Sequence, residues 1–462
     1  MRKTRPVLIS AIVIGALAAA LPSAAPRLAD VEPLMARFLA DSNVVGVSVG
    51  VERGRDVIVR GGWGLADRGT GRKATAQTVY RLGSSSKQFT AALVMKLVER
   101  GMVGLDDPVD RHLPQMPRKW LGITVRQLLN HTSGVPNTSD AGSSSWAKKL
   151  SPAGLLALVS GRGLQFPAGS TFAYSNSNYV MLGQIAERHY GKPLPQIFAD
   201  ELFGPLNLTS TRYCEDEYGA NGQAMPYIRN GDRVEDAPYW SVTHGFGSGC
   251  ICSTVADIAE WNRALHGGKV VSASSYAQMT APQGAAAAAG LGSAGFGFGL
   301  MAGSVAGRPA LLHGGTVPGF IAMPAWLPAE QLSIVILMNT RRTPHTGFLL
   351  RDLARLALGD PVTIVPVQTG PPPDAAALRP LAGTYIINVP GRARQIRFWV
   401  DGKTLMSQAA GEDRIPLRPA GPHAFGAAYD WSVRFTFNVA SGAATSLTFE
   451  QGGSTFTGLR KR

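Results

Sequence analysis

The sequence predicts an α/β protein of the α+β kind, with a second, all-β domain at the C-terminus. Three observations predict this arrangement. Runs of β-branched residues lie early and late in the first 360 residues, helical periodicity fills the middle, and short alternating runs between glycines follow residue 381. We therefore expect an antiparallel sheet built from both ends of the first domain, flanked by helices and carrying a helical insertion.

The first strands are predicted at 44–51 and 57–60, where valine and isoleucine recur on both sides of a short polar turn, as in a hairpin. Apolar residues from Phe89 to Leu97 follow helical spacing, and Gly101 supplies the stop. The remaining predictions for the first domain are helices at 125–129, 179–190 and 348–358, an alanine-rich loop at 285–289, and strands at 310–312, 320–326 and 332–338. This pattern assigns residues 30–360 to one domain.

The segment 361–380 is rich in proline, which neither continues a helix nor pairs inside a sheet, so it is predicted to be a linker. From residue 381 to 462 the chain alternates apolar and polar residues in short runs between glycines. The runs are clearest at 383–387, 396–400 and 433–437. They fit a small antiparallel barrel or sandwich, and a β-barrel domain is the prediction made for 381–462.

The N-terminus has the layout of a secretory signal peptide at 1–25. Arg2, Lys3 and Arg5 precede an apolar run from Val7 to Leu21, and small residues follow. The run is shorter than the roughly 20 residues that a membrane-spanning helix needs. We expect an exported protein, periplasmic or secreted, with an uncleaved N-terminal membrane anchor as the alternative.

The formal net charge is +14, without a dense basic block or a nucleic-acid-binding motif, so no nucleic-acid partner is expected. The chain has three cysteines, and an odd number in an exported protein suggests one disulfide and one free thiol. Cys250 and Cys252 are too close in sequence to pair without strain. A bridge from Cys214 to one of them is expected, with Cys252 favoured. No CxxC or HExxH motif is present, so we predict neither a metal site nor a cofactor.

The stretch LGSSSKQFT at 82–90 places serines and a lysine where an apolar helix begins. Ser84 and Lys87 are three residues apart, so on a helix both side chains lie on one face and the amine can sit beside the hydroxyl. The free N–H groups at a helix start can also stabilise an anion. The pair therefore predicts a nucleophile with its activator, and a helix cap followed by a solvated lysine is the alternative.

A second serine motif is Gly46-Val47-Ser48-Val49-Gly50, which matches the GxSxG nucleophile elbow of other hydrolases. That elbow requires a sharp turn from strand to helix. Here the strand alternation continues into a hairpin, so Ser48 is predicted to be an ordinary strand residue.

Two downstream motifs add weight to Ser84. Tyr174 and Asn176 form a Y-x-N just before an apolar helix, and His313-Gly314-Gly315-Thr316 places a basic residue and two glycines on a strand. Taken singly, Tyr174 could be a packed aromatic and His313 an ordinary strand histidine. Their order and spacing relative to Ser84 make the combination informative.

On these three motifs, residues 30–360 resemble the serine β-lactamase and penicillin-binding protein superfamily, in its branch of class C β-lactamases, D,D-peptidases and esterases. The C-terminal segment resembles the small β-barrel often appended to such hydrolases. Further stretches with the family's look are Leu129-Asn130-His131-Thr132-Ser133-Gly134-Val135-Pro136, Tyr174 to Gly183, Ser253 to Ile258 and His313 to Phe320. His131 matches a loop marker that is structural in the family.

The resemblance implies a β-lactamase-like fold and an acyl-enzyme mechanism. Ser84 would attack the carbonyl, while Lys87 and Tyr174, with the proton affinity of Tyr174 lowered by the ammonium, would move the proton. Asn176 would orient Lys87 and the substrate amide. The backbone N–H groups of Ser84 and Thr316 would form the oxyanion hole.

The third motif differs from the usual Lys-Thr-Gly. His313 stands in place of the lysine and binds a substrate carboxylate more weakly, while Gly314 and Gly315 would let the substrate lie along the strand edge. The expected substrate is a small molecule or peptide with an amide, ester or β-lactam carbonyl. D,D-carboxypeptidase, D-amino-acid peptidase or β-lactamase-like activity is expected first and carboxylesterase second. A non-catalytic penicillin- or cell-wall-binding protein is the alternative of another class, and cell-wall contact is compatible with all of these.

Overall fold

The computed structural model describes residues 28–461, except 231–232, 289–294, 343–345, 363–372, 390–391, 410–413, 428–432 and 452–453. The predicted signal peptide, and with it the alternative of an N-terminal anchor, lies outside the described residues. Within the described ranges, every helix is too short or too polar to cross a membrane.

Fifteen strands precede residue 360 in the described part of the chain. They are β1 (Gly46–Arg53), β2 (Asp56–Asp67), β3 (Arg72–Lys73), β4 (Tyr80–Arg81), β5 (Arg212–Tyr213), β6 (Tyr227–Asn230), β7 (Arg233–Asp236), β8 (Ile251–Ser253), β9 (Gly295–Phe296), β10 (Met301–Val305), β11 (Arg308–Leu312), β12 (Gly315–Val317), β13 (Phe320–Leu327), β14 (Leu332–Met338) and β15 (Thr340–Arg341).

The α-helices of the same region alternate with short 3₁₀ turns. They are α1 (Leu28–Ser42), α2 (Lys87–Glu99), α3 (Val109–His112), α4 (Val125–Leu129), α5 (Pro152–Ala157), α6 (Asn176–Tyr190), α7 (Leu194–Phe198), α8 (Val255–His266), α9 (Ala273–Thr280) and α10 (Thr346–Leu358). A π-helical turn, Ala199–Phe203, follows α7.

The central sheet has nine strands in the order β3-β2-β1-β14-β13-β11-β10-β9, with β12 paired to β13. Strands from the start and the end of the domain meet at the antiparallel pair β1 and β14, where Val49 faces Ile336. The predicted sheet built from both ends of the domain, with helices inserted between, is therefore confirmed.

Helices cover both faces of this sheet. On one face, α1 and α10 bury apolar stripes, which in α10 recur at helical spacing from Leu349 to Ala357. On the other face, α8 packs against β1 and β14, and its Val255 belongs to the large core shared with α2 and α6. Because both faces are covered, every residue of β14 and all of β1 except Arg53 are buried.

The C-terminal strands form a closed antiparallel barrel of eight strands, as the resemblance implied. They are β16 (Gly383–Val389), β17 (Arg392–Asp401), β18 (Thr404–Ala409), β19 (Ile415–Gly421), β20 (Ala424–Ala427), β21 (Arg434–Ala440), β22 (Ala443–Gln451) and β23 (Ser454–Arg460). Closure comes from pairing of the last strand with the first, where Tyr385 faces Arg460. Aromatic side chains such as Phe398 and Phe437 fill the interior. Because the barrel is closed, no sheet edge is left within this group of strands.

Two sequence expectations are corrected in detail. The predicted linker contains a short helix α11 (Ala375–Leu378) and a 3₁₀ turn from Arg379 to Leu381, while residues 363–372 are outside the described part. Alanine has a high helix propensity. The alanines of this helix come after the prolines at 371–373, which therefore do not interrupt it. In the same way, the alanine-rich segment expected as a loop forms a 3₁₀ turn from Gly284 to Ala288, and Ala289 is not among the described residues.

Candidate active site

The predicted nucleophile lies in a tight turn between β4 and α2. A 3₁₀ turn covers Gly83–Ser86, and its first internal backbone hydrogen bond runs from the N–H of Ser85 to the carbonyl of Leu82 at 3.3 Å. The N–H of Ser84 therefore precedes the first bonded donor of the turn. The alternative of a helix cap followed by a solvated lysine is wrong, because Ser86 occupies the N-cap position of α2 without a side-chain capping bond and Lys87 is buried.

Lys87 begins α2 and is completely buried beside Ser84. Its Nζ atom lies 3.2 Å from Ser84 Oγ, 2.8 Å from Asn176 Oδ1 and 2.8 Å from the carbonyl oxygen of Ser248. Burial holds the pKa of Lys87 well below its usual value, because desolvation penalises the ammonium. A neutral amine next to the hydroxyl can accept its proton.

A glycine-rich segment ahead of β8 wraps around this turn. The carbonyl of Gly247 accepts a 2.6 Å hydrogen bond from Thr90 Oγ1, and Ser86 Oγ accepts one of 3.0 Å from the N–H of Ile251. The same segment supplies the Ser248 carbonyl to Lys87. Sequence reasoning missed this contribution, because a backbone carbonyl leaves no signature in the residue types.

Asn176 and Tyr174 come from the start of α6. Asn176 is the first residue of the helix, and its Nδ2 donates to Ser139 Oγ at 2.8 Å while its Oδ1 faces Lys87. The ring centroid of Tyr174 lies 4.8 Å from Lys87 Nζ. The Y-x-N motif thus lies beside Lys87, with the amide of Asn176 and the ring of Tyr174 both close to the amine.

The expected lowering of the Tyr174 pKa is wrong. Burial raises this pKa above its usual value, and the neighbouring Ser84 hydroxyl only partly offsets the rise. The Tyr174 hydroxyl is buried, and no described residue meets the geometry of a hydrogen bond with it. Desolvation of the tyrosinate outweighs any stabilisation of it by the Lys87 ammonium. Burial of Lys87 also favours its uncharged amine, which would not stabilise a tyrosinate. Tyr174 therefore remains protonated at neutral pH.

His131 supports the segment that carries Tyr174. Its Nδ1 accepts hydrogen bonds from the N–H of Ser175 at 3.2 Å and from Asn178 Nδ2 at 3.3 Å. Its ring centroid lies 4.3 Å from that of Tyr174. The backbone φ of His131 is +60°, a left-handed conformation that fits its position after α4. These contacts agree with the structural role implied for this loop marker.

The edge strand β12 lies directly against the Ser84 turn. A Cβ atom added to Gly315 would lie 1.8 Å from the Leu82 carbonyl oxygen, so only glycine allows this approach. A Cβ added to Gly83 would lie 2.8 Å from the backbone nitrogen of Thr316. The predicted oxyanion donors, the N–H groups of Ser84 and Thr316, are therefore carried by backbones in close contact. Gly314 is less constrained, since its nearest neighbour would be Met323 Cε at 3.4 Å.

His313 is buried and uncharged at neutral pH. Its Nδ1–H donates to the Gly314 carbonyl at 2.8 Å, and its own carbonyl accepts a 2.6 Å hydrogen bond from Ser85 Oγ. Burial, with a smaller contribution from the nearby Lys87, lowers the pKa of His313 to about 3. The sequence predicted a weak positive charge at His313. In the structure the imidazole is uncharged at neutral pH.

A cavity of about 320 Å³ opens onto these groups. Ser84, Asn176 and Thr316 line it, together with Trp146, Trp240 and Arg341. No carboxylate is among the described residues that line it. The two tryptophans and Arg341 were not identified from the sequence.

The rival serine and the cysteines lie elsewhere. Ser48 is fully buried in β1, where its Oγ donates to the Thr75 carbonyl at 2.7 Å and contacts the Tyr80 hydroxyl at 2.8 Å. Neither of these hydrogen-bond partners is a basic side chain. Cys214 is paired with Cys252 in a disulfide, and Cys250 is a buried free thiol.

Comparison with known proteins identifies the fold and the relatives. The family model described as Beta-lactamase matches residues 31–359. Penicillin-binding protein 4* of Bacillus subtilis (strain 168) is 25% identical over 430 residues, which cover 88% of this chain and 93% of the relative.

Two solved structures extend the comparison. The octameric penicillin-binding protein homologue from Pyrococcus abyssi has a TM-score of 0.65 at 22% identity, covering 93% of this chain and 99% of that one. A D-stereospecific amidohydrolase from Streptomyces sp. has a TM-score of 0.58 at 25% identity, covering 66% of this chain and 94% of that one. The first likeness spans both the main domain and the C-terminal barrel.

Proposed function

The chain belongs to the β-lactamase family, and from this premise we propose that it is a serine hydrolase that forms an acyl-enzyme on Ser84. The observation that carries the proposal is the contact between Lys87 and Ser84, at 3.2 Å, beside a cavity that Ser84 itself lines. A nucleophile with an adjacent base, facing open space, is the minimum that acyl transfer requires. We propose domain boundaries at 30–360 and 381–462, with the hydrolase site in the first domain.

In the proposed acylation step, Ser84 Oγ forms a bond to the substrate carbonyl carbon while its proton passes to the neutral amine of Lys87. The carbonyl oxygen becomes an oxyanion, which accepts hydrogen bonds from the N–H groups of Ser84 and Thr316. Collapse of this intermediate breaks the bond to the leaving amine or alcohol. The leaving group takes a proton from Tyr174, which Lys87 then reprotonates.

In the proposed deacylation step, water attacks the acyl carbonyl and gives a proton to the same basic groups. The ester bond to Ser84 breaks, the carboxylic acid product leaves, and Ser84 regains its proton. Asn176 holds Lys87 throughout by its 2.8 Å contact with Nζ, and its Nδ2 side can meet a substrate carbonyl. At the end of the cycle Ser84, Lys87 and Tyr174 are back in their starting protonation states.

Amides are the first substrate class that we propose, of the D,D-carboxypeptidase, D-amino-acid peptidase or β-lactam kind. The names of the relatives, a penicillin-binding protein and a D-stereospecific amidohydrolase, support amide substrates. Carboxylesters are the second class, favoured by the uncharged His313, since a neutral ester needs no cation in that place. We also propose that the enzyme works outside the cytoplasm, which the Cys214–Cys252 disulfide and the predicted signal peptide support.

The test is a substrate panel measured with the wild type and with Ser84→Ala. The panel contains a D-Ala-D-Ala peptide, a chromogenic cephalosporin and short-chain 4-nitrophenyl esters. We expect hydrolysis of at least one class, abolished by Ser84→Ala. Equal activity of the variant, or binding without turnover on all three classes, would show that the protein is not a Ser84 hydrolase.

A further inference from the structure

The interior of the C-terminal barrel is filled by large aromatic rings at one end only. Tyr385, Phe398 and Phe437 pack edge to face there, with ring centroids 5.1 to 5.6 Å apart. Beyond these rings the barrel encloses a cavity of about 250 Å³. Each strand from β17 to β22 contributes at least one residue to its lining, so the space lies inside the barrel.

Small buried side chains leave this space open. The buried positions of β18 are Leu405, Ser407 and Ala409, which become smaller along the strand. On β20, Phe425 is followed two residues later by the buried Ala427. Ser407, Ala409 and Ala427 all line the cavity. The interior of an eight-stranded barrel is either filled by side chains or able to hold one small ligand, and these three residues leave room for a ligand.

Arg394 brings a cation to the cavity. Successive residues of a strand point to opposite faces, and in β17 Ile396 and Phe398 are buried while Gln395 is exposed. Arg394 therefore belongs to the inward-facing set, and its cross-strand partner Ile387 is buried too. Every other described residue of the lining is uncharged. The guanidinium is always ionised and carries five N–H donors.

The hydrolase domain supplies another part of the cavity wall. Phe348 belongs to α10 and lines the cavity together with the barrel residues. The Cζ atom of Arg351 lies 5.1 Å from the centroid of the Phe348 ring. On the same side of the molecule, Arg418 of β19 forms an ion pair with Asp41 of α1 at 3.0 Å. The two domains thus form the cavity together, and a ligand there would contact both.

We propose that this cavity is a binding site for a small amphipathic carboxylate, with the carboxylate at Arg394 and the apolar tail among Phe348, Phe435 and Phe449. The rings of Phe435 and Phe449 are buried and stack with centroids 5.2 Å apart. A guanidinium binds a carboxylate through charge-assisted hydrogen bonds, which can be bidentate. A dry apolar cavity of about 150 Å³ accepts a benzene molecule, so a larger one of 250 Å³ suits an aliphatic chain of about eight carbons.

This inference does not depend on the proposed hydrolase function, because no residue of the Ser84 cavity takes part in it. The proposed site and the Ser84 cavity have no lining residue in common. Loss of one activity by mutation therefore leaves the other to be measured separately.

The test measures binding to the full chain by isothermal titration calorimetry. The ligands are octanoate, its neutral analogue 1-octanol, the cation octylammonium and the short carboxylate butyrate. The variants are Arg394→Gln, which removes the charge, and Ala427→Phe, which fills the cavity. Two controls change the outer face of the barrel. Arg397→Gln removes an exposed arginine of β17, and Thr436→Phe adds the same ring to β21 outside the cavity lining.

We expect the wild type to bind one octanoate per chain, about tenfold or more tightly than 1-octanol, since a hydrogen bond to a charged group is typically worth roughly 10- to 100-fold. Butyrate should bind far more weakly than octanoate, because its shorter chain buries less apolar surface. Arg394→Gln should remove the preference for octanoate over 1-octanol, and Ala427→Phe should abolish binding of both. Arg397→Gln and Thr436→Phe should keep the octanoate Kd within about twofold of the wild type.

The absence of saturable octanoate binding in the wild type would overturn the proposal. Octanoate bound no more tightly than 1-octanol or octylammonium would also overturn it, because the guanidinium would then have no role. Far-UV circular dichroism shows whether Ala427→Phe folds, and Ala409→Leu replaces it as a milder filling variant if it does not. Undiminished octanoate binding in a folded filling variant would place the ligand outside the barrel and contradict the assignment.

Discussion

The amine nitrogen of Lys87 lies 3.2 Å from the hydroxyl oxygen of Ser84, and both side chains belong to one turn at the start of α2. The same nitrogen is 2.8 Å from Asn176 Oδ1 and from the Ser248 carbonyl, so three separate segments fix its position. Burial holds the pKa of this lysine well below its usual value and so favours loss of its proton. The arrangement joins a hydroxyl to a base that is available near neutral pH.

Replacement of Lys87 by methionine should lower kcat/KM for any hydrolysed substrate by roughly 10²–10⁴-fold, because the variant lacks the general base. In the wild type, kcat/KM should fall as the pH drops through the Lys87 pKa, since protonation removes the base. The inflection should lie well below the 10.5 of an ordinary lysine. A rate profile measured from pH 5 to pH 11 gives this value. An acid limb that persists unchanged in Lys87→Met would show that another group titrates.

Replacement of Gly315 by alanine should damage the site, whereas Gly314→Ala should be tolerated. The new Cβ at 315 would meet the Leu82 carbonyl oxygen at 1.8 Å, and the Cβ at 314 would only touch the flexible Met323 at 3.4 Å. Separation of β12 from the Ser84 turn would misplace an oxyanion donor, which typically costs about 10²–10³ in kcat. Steady-state kinetics and urea unfolding of the two variants test this. Similar kcat values for both would contradict the close approach of β12.

The sequence predicted the main features of the fold, because those features follow from local patterns. Runs of β-branched and other apolar residues marked β1 and β14, helical spacing marked α10, and the glycine-separated runs marked the barrel. It could not predict the Tyr174 pKa, because that depends on how completely the folded chain excludes water from the ring. Ser248 acts through its backbone, and Arg341, which lines the cavity, lies on a strand that pairs with the distant β6. Such long-range placements are not encoded in residue spacing.

Removal of the disulfide by Cys214→Ser should lower the free energy of unfolding by about 2–4 kcal/mol, because the bridge closes a loop between residues 38 apart. Cys250→Ser should cost less, since it breaks no covalent link. Urea unfolding of oxidised protein measures both, and non-reducing peptide mapping should find Cys214 joined to Cys252. A larger loss in Cys250→Ser than in Cys214→Ser would contradict this ordering.

Replacement of His313 by alanine should weaken substrate binding without removing the covalent chemistry. The lowered pKa of about 3 makes the ring a weak base, and the basic nitrogen in contact with Ser84 Oγ is Lys87 Nζ, so His313 is not placed as the principal base. We expect the loss in kcat/KM to be far smaller than in Ser84→Ala. His313→Lys should retain acylation by small esters and shift preference toward substrates with a carboxylate. Loss of all activity in His313→Ala, on both a neutral ester and a D-Ala-terminated peptide, would make the histidine itself the essential base.

The most direct test of the account is the site of covalent attachment. The protein is treated with a fluorophosphonate and, separately, with a penicillin, and the modified peptide is located by mass spectrometry in the wild type, Ser84→Ala and Ser48→Ala. We predict a single adduct on Ser84 in the wild type and in Ser48→Ala, and no adduct in Ser84→Ala. An adduct on Ser48, or labelling that survives in Ser84→Ala, would contradict the assignment of Ser84 as the nucleophile.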